Sequence, residues 1–593
     1  MIKKLMYLLI VIVSIISACK KDILDLTPKD RITDAEYWAT PNDLLLYCNS
    51  FYNNMLPRYD GFIANGLGPY SLDADMGSDN MINTTGYNNA LNGERIVPAG
   101  SSGTSWGNWG QLRNVNYFLA NYKRVVAQPS AINQYIGEAY FFRAWYYFGM
   151  LKTYGDLPWI NKPLLPTDQD LIYGNRLKRN IVADSIISDL DKAISLLGTK
   201  SVDNQMRINK EAAMAFQSRV ALFEGTWEKY HANDAFGVSG STGTKYLEKA
   251  ASVAESLINS NVYQLDNVGA TNGYTNLFNQ IDYSSSKEVM LWRKYSITET
   301  PKAAHNWVIT LVRGGGRGLT KNLIDDYLCT DGKPITGNSL YLGDNNLLNV
   351  VANRDPRLVQ TICVPDGKHV LTANAVPVIF TKPGFESATS INDKNATGYQ
   401  LYKGVNTDPQ MQQNISNVGF TAYPYIRYAE VLLNFAEAKA ELGSIAQTDL
   451  DKSINKLRTR VGMPSLIIAG IINDSKWLFP TLSPIINEVR RERRVELSCE
   501  GYRHDDIFRW AAADKLIVGW KPKGAMKAQF NGLFTTSELN AYPADENGYI
   551  ELFRNIPAMS TGYKFATTRD YLDPIPSNEL TLNPKLLPQN PGW

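Results

Sequence analysis

The chain has 593 residues, 44% hydrophobic and 20% charged, with 60 Lys and Arg against 58 Asp and Glu. A net charge of +2 gives no single-signed field of the kind that draws nucleic acid or an anionic membrane surface. Its four histidines form no cluster at zinc-ligand spacing, and neither HExxH nor a phosphate-binding GxxxxGK[ST] occurs.

At the N-terminus, Lys3 and Lys4 precede an apolar run from Leu5 to Ile16 and then Ser17-Ala18-Cys19. A positive start, a short apolar run and small residues at a cleavage point compose an export signal. The run falls short of the roughly 20 residues a membrane span needs, with a short anchor as the competing reading. Ile16-Ser17-Ala18-Cys19 resembles a lipobox, the signal in which the cysteine is lipidated and becomes the first mature residue. Cys48, Cys329, Cys363 and Cys499 form no CxxC pair; they allow three disulfide connectivities, or one bridge with two buried thiols.

After a polar tether (20–29), a stretch of mixed helix and loop leads into residues 59–110, rich in Gly, Asn, Ser, Asp and aromatics and without helical periodicity. Helices then dominate. One is expected from Gln134 to Thr153, closed by Gly155 and Pro158. Apolar residues at helical spacing predict others over Asp184–Leu197, Asn209–Tyr230 with Asn209 as N-cap, and Tyr246–Asn259. Between residues 260 and 424 lies a Gly-, Asn-, Asp- and Tyr-rich insertion expected to form loops and short strands. Three more helices follow at Tyr425–Leu442, Asp449–Val461 and Ile485–Cys499. Alanines recur where paired helices must cross closely (Ala139, Ala144, Ala212, Ala213, Ala250, Ala251, Ala436, Ala438), so the fold class is mainly α, a TPR-like helix-pair scaffold.

Charge patterns in the helices read as structural. Arg490, Arg491, Arg493 and Arg494 alternate with Glu488, Glu492, Glu496 and Glu500, an ion-paired face and not a nucleic-acid patch. Arg427, Glu430, Asn434 and Glu437 recur at three- or four-residue steps and are expected to pair across helices and fix their register. Gly314-Gly315-Gly316-Arg317-Gly318 reads as a loop, lacking the lysine of a phosphate cradle. Asp73–Asn80, "DADMGSDN", reads as an Asx-rich turn and fits no EF-hand, with Ca²⁺ the weaker reading. Paired carboxylates for glycoside hydrolysis stay open, because spatial separation is invisible in sequence.

Sugar recognition needs flat apolar faces for C–H surfaces and planar polar groups for hydroxyls. Two loop regions carry both. One holds Tyr70, Asp75, Asp79, Asn80, Tyr87, Trp106, Asn108 and Trp109; the other holds Trp292, Tyr295, His305, Trp307 and Arg313. Any single aromatic is more often a core anchor, but Trp106 and Trp307 stand in polar, non-helical settings. The ligand set expected from these loops is Trp106, Trp307, Asp79, Asn80, Tyr70, Asn108 and Arg313, with no catalytic residue and no metal.

Several separated motifs carry a family resemblance. They are "LDLTPKDRITDAEYWATPNDLLLYCNSFYN" (24–53), "GEAYFFRAWYYFGMLKTYGDLPWI" (137–160), "YPYIRYAEVLLNFAEAKAELG" (423–443), "INKLRTRVGMP", "RRERRVELSCEGYRHDDIFRW" and "YLDPIPSNELTLNPKLLPQNPGW" (571–593). In that order and nearly end to end, they resemble the SusD/RagB family of outer-membrane lipoproteins of Bacteroidetes. The resemblance implies a signal peptide (1–18), a lipidated Cys19 with its tether (19–30) and one body (31–593). That body divides into a helical N-terminal region to 260, the insertion at 261–424 and a C-terminal region from 425. About four TPR-like units would support an irregular binding face. It further implies a non-catalytic protein needing no cofactor, lipid-anchored at the outer membrane and facing outward. Such a protein passes a glycan, or a peptide, to a SusC-like TonB-dependent transporter. Lys20-Lys21-Asp22 departs from the family's surface-export signal, supplying one acid where that signal carries two.

Overall fold

The computed structural model describes residues 34–60, 63–65, 74–200, 202–267, 269–299, 303–306, 314–373, 376–385, 393–412 and 418–593. Cys19 and the whole export segment lie outside the described residues.

Pro41 at the first turn and the Asp43 carboxylate, which accepts the Thr40 N–H at 2.7 Å, start α1 (Pro41–Met55), whose Leu44, Cys48 and Phe51 are buried. It packs with α2 (Trp109–Asn121) against α3 (Pro129–Tyr154). Gly155, at φ +70°, ends α3 in a conformation that costs a side-chain-bearing residue more than glycine. From there the helices stack in order: α3 on α4 (Arg179–Leu196), α4 on α5 (Lys210–Tyr230) and α5 on α6 (Thr244–Ser260). The Asn209 side chain caps α5 by accepting the Ala212 N–H at 2.8 Å. Next, α6 meets α7 (Tyr428–Glu441), which packs on α9 (Pro484–Glu496), while α8 (Ile454–Arg460) lies between them in sequence. All eight alanines named above are buried at these crossings. At Gly225 of α5 a Cβ would come within 2.9 Å of both the side chain and the backbone nitrogen of Leu247 on α6.

Bidentate ion pairs pin several of these helices together. Arg143 on α3 holds Asp189 on α4 at 2.6 and 2.8 Å, and Arg179 on α4 holds Glu224 on α5 at 2.9 and 2.7 Å. Likewise Arg219 on α5 holds Glu430 on α7 at 2.5 and 2.6 Å. Glu437 on α7 accepts from Arg509 of α10 (Arg503–Arg509) at 2.6 and 2.8 Å. The register function read from Glu430 and Glu437 is therefore met.

Helix α9 goes further than its sequence pattern, because every residue from Asn487 to Glu496 is buried. Glu496 accepts from Arg427, Arg460 and Arg357 at 2.7, 2.5 and 2.9 Å, while Glu500 takes Arg427 and Lys403. Burial alone would raise the Glu496 carboxyl, and the three arginines reverse this and hold it well below the usual range. Charged groups this deep specify one arrangement, since a slipped register would leave a charge unpaired.

Two expected helices differ in extent. Tyr423–Arg427 is a buried strand, β8, so α7 begins only at Tyr428. The segment expected over Asp449–Val461 breaks at Ser453, whose hydroxyl bonds the Asp449 carbonyl and competes with the helical ladder.

Among the described residues eight short strands pair two by two, all antiparallel: β1 (Arg58–Asp60) with β2 (Ile63–Asn65), β3 (Met81–Asn83) with β5 (Arg317–Leu319), β4 (Val289–Arg293) with β8, and β6 (Val370–Ala373) with β7 (Val376–Ile379). The four described cysteines are buried and free, so no disulfide forms among them.

Candidate ligand-binding face

Strand β3, inside the first aromatic-polar stretch, pairs with β5, which follows the second more than 200 residues later, so that Met81 faces Leu319 and Asn83 faces Arg317. Gly314, Gly315 and Gly316 all take positive φ, which lets the chain turn directly into β5. Gly318 lies so close to Thr397 that a Cβ would stand 2.4 Å from its hydroxyl.

Asp75, Asp79 and Asn80 lock the chain ahead of β3 onto the helical body. Asp79 receives Arg503 Nε at 2.7 Å and Nη2 at 3.0 Å, and Arg494 Nη2 at 2.8 Å. Burial opposes the Asp79 charge, yet the two guanidinium groups hold its carboxyl below its ordinary value. Asn80 donates to Asp75 at 2.8 Å and accepts Arg494 Nε at 2.8 Å. Asp75 in turn accepts the Cys499 and Gly501 N–H groups at 2.8 and 3.1 Å. Asp79 is 0% and Asn80 1% exposed. Neither has surface left for a ligand, which corrects the expectation that they contact one: arginines unseen in the local sequence consume their hydrogen-bonding capacity. The aspartates of the "DADMGSDN" turn that fall in the described residues are likewise spent on arginines and backbone N–H groups, and no cluster suited to a metal ion occurs among the described residues.

The expected aromatic residues divide in the same way. Trp292 is buried, its Nε1 donating to the Asn204 carbonyl at 2.8 Å and its ring edge-on to Tyr283. Tyr295 and His305 form a buried edge-to-face pair at 4.8 Å; His305 Nε2 meets the Thr421 carbonyl at 2.9 Å, and burial pushes the imidazole down to about 4. Tyr87 is half-buried and donates to Glu94 at 3.0 Å. Tyr70, Trp307 and Arg313 lie outside the described residues.

Trp106 departs from its expected open setting. It lies in a 3₁₀ turn, Ser105–Asn108, with its ring edge-on to Tyr154 at 5.0 Å and to Trp109 at 5.6 Å, and only 3% exposed. No flat face remains for a sugar to stack on. Gly103-Thr104-Ser105-Trp106-Gly107 fits the spacing G-x-S-x-G, but a 3₁₀ turn and not a strand carries Ser105, so no nucleophile elbow forms. Asn108 is exposed beside it. Trp106 and Trp109 instead edge a largely apolar cavity of about 480 Å³, bounded also by Ile160, Tyr173, Leu582 and Leu586.

Paired helices bearing an irregular loop face define a helical-repeat binding scaffold. Residues 276–593 match the model of the SusD family, and residues 50–222 match one described as "Starch-binding associating with outer membrane". The chain belongs to the SusD family. It is 24% identical over 527 residues to SusD-like protein P38 of Formosa agariphila, covering 85% of this chain and 90% of that one. Against SusD-like protein P2 of the same organism it is 23% identical, covering 81% and 78%. The fold is similar to that of a SusD-like carbohydrate binding protein from Bacteroides fragilis, with a TM-score of 0.70 at 20% identity over 93% of this chain and all of that one. A second SusD-like protein from B. fragilis aligns at 0.69 and 21%, covering 96% and 100%. Among the described residues no helix is long and apolar enough to cross a membrane.

Proposed function

We propose that this protein captures a glycan or oligosaccharide at the outer surface of the outer membrane, held there by a lipid on Cys19. It passes the glycan to a SusC-like TonB-dependent transporter and breaks no bond itself. The observation that carries this reading is the β3–β5 pair, which brings a strand inside the first aromatic-polar stretch beside the strand that follows the second. A fold neighbour described as carbohydrate binding supports it. Tyr70, Trp307, Arg313 and Asn108 would meet the sugar by stacking and hydrogen bonding, with Asp75, Asp79 and Asn80 positioning the loop from behind.

The test is an affinity screen of the chain from residue 20 onward against polysaccharides and peptide mixtures. Saturable glycan binding without new reducing ends supports the proposal; binding of peptides alone, or glycan cleavage, overturns it. Co-purification of the full chain with a TonB-dependent transporter tests the partner.

A further inference from the structure

A second cavity, of about 230 Å³, lies between α3, α5 and the start of α10. One side is aromatic, built from Trp145, Phe148 and Phe216. The other is charged, and its hydrogen bonds do not balance. Its carboxylates all have cationic partners: Glu500 has Lys403 and Arg427, Asp505 has Lys152, and Asp506 has Arg493 and Arg509. Two of its guanidinium groups keep a free arm. Arg493 spends Nε on Asp506 and Nη1 on Asn434, at 3.0 and 2.9 Å, and Nη2 donates to nothing among the described residues although the side chain is 3% exposed. Arg219 spends Nε and Nη2 on Glu430 and Tyr502, and Nη1 has no acceptor among the described residues. Both guanidinium carbons lie within 6 Å of the Tyr502 ring centroid.

Guanidinium donors left free on the wall of a cavity favour an oxyanion, because a charge-assisted hydrogen bond is stronger than a neutral one. The aromatic side asks for an apolar or C–H-bearing body behind that charge. The surrounding charges nearly cancel, which favours one negative charge over two. We infer that this cavity binds a small organic monocarboxylate, of monosaccharide or aromatic-acid size, with its carboxylate on Arg493 Nη2 and Arg219 Nη1. The site shares no residue with the proposed glycan contacts, so neither reading depends on the other.

The probe is sodium D-glucuronate, titrated calorimetrically into the purified full chain, with D-glucose as the neutral control and sodium sulfate as an oxyanion without an organic body. Glucuronate is expected to bind and glucose and sulfate not to. Two variants locate the site. Gly149 lines the cavity, and a Cβ there meets nothing within 4 Å, so Gly149→Phe enters the space without an initial clash and removes none of the ion-paired groups. Arg493→Lys keeps a charge beside Asp506 and removes the Nη2 donor. Arg493→Lys is expected to weaken glucuronate binding about tenfold or more, the loss of one charge-assisted hydrogen bond, and Gly149→Phe to weaken it at least as far by filling the space, each with an unchanged circular dichroism spectrum. Equal binding of glucose, binding of sulfate as tight as that of glucuronate, no glucuronate binding, or unchanged affinity in Gly149→Phe would each overturn the assignment.

Discussion

Arg503 grips Asp79 through two parallel hydrogen bonds, at 2.7 and 3.0 Å, across 424 residues of sequence. With Arg494 on the same carboxylate, the pair fastens the loop leading into β3 to the start of α10. Removing one member of a fully buried pair leaves the other charge desolvated and unmatched, at a cost of about 3–5 kcal/mol. Asp79→Ala is therefore expected to lower unfolding free energy by that amount in urea titration, and Asp79→Asn to lower it nearly as far. An unaltered urea midpoint with lost glycan affinity would return Asp79 to the ligand-contact role.

Glu437 carries the acid sensitivity of the α7–α10 contact. Burial would raise its carboxyl, but Arg509 and Arg493 overcome this and bring it to about 2, against a usual glutamate value of 4.5. A depressed carboxylate stabilises the fold in full above the unfolded value and loses that stabilisation as pH falls through the folded one. The advantage of the wild type over Glu437→Gln is thus expected to be complete above pH 4.5 and to close between 4.5 and about 2. Urea midpoints of the two proteins across that interval are the measurement; a pH-independent gap would show that the carboxylate is not charged in the fold.

His305 acts in a different pH window. Its imidazole is depressed by burial from 6.5 to about 4, so the folded chain holds it neutral while the unfolded chain protonates it below 6.5. Stability is present in full above pH 6.5 and falls as pH drops towards 4, by on the order of 3 kcal/mol if the whole shift is realised. His305→Gln keeps a donor for the Thr421 carbonyl and removes the titration. The wild type should lose ground to this variant between pH 6.5 and 4 in thermal melts, and parallel curves would refute the assignment. Because His305 stands two residues before Trp307, the same loss is expected to accompany weaker glycan binding in acid.

Helix packing at Gly225 offers a test without charge. An added Cβ would press on Leu247 at 2.9 Å, and one of the two atoms it meets is backbone and cannot rotate away. Gly225→Ala gains helix propensity of about 1 kcal/mol, while overpacking costs about 1–3 kcal/mol. The net expectation is a lower melting temperature, and a higher one would mean that α6 shifts freely against α5.

How much of this was legible in the sequence follows from the range of the interactions. Helical periodicity and caps are local, so α3 to α6 appear within a few residues of their expected ends, and Asn209 caps as read. Ser453 and β8 escaped because a side-chain bond and a distant strand override local pattern. For the site, residue type was visible but orientation was not. The aspartates of "DADMGSDN" and the arginines of "RRERR" both stand out, yet nothing in one segment tells that it neutralises the other more than 400 residues away. Trp106 misled for the same reason: its neighbours in sequence are polar, while its neighbour in space is Tyr154.

That difference between sequence and spatial neighbours separates the two tryptophans experimentally. Trp106 gives its ring to Tyr154 and Trp109 and its backbone N–H to the Tyr154 hydroxyl at 3.0 Å, so Trp106→Ala empties part of a packed core. The expected cost is about 3–5 kcal/mol of stability, with glycan affinity unchanged at temperatures where the variant remains folded. Trp307→Ala is expected to do the reverse. Loss of a stacking face should weaken glycan binding about tenfold, near the upper end of what an aromatic contact contributes, and leave the melting temperature within a degree or two. Calorimetric titration and thermal melting of both variants, with whichever glycan the screen identifies, decide the matter. If Trp106→Ala loses affinity at full stability, the binding face extends to the 3₁₀ turn before α2; if Trp307→Ala retains affinity, the stacking platform is not Trp307.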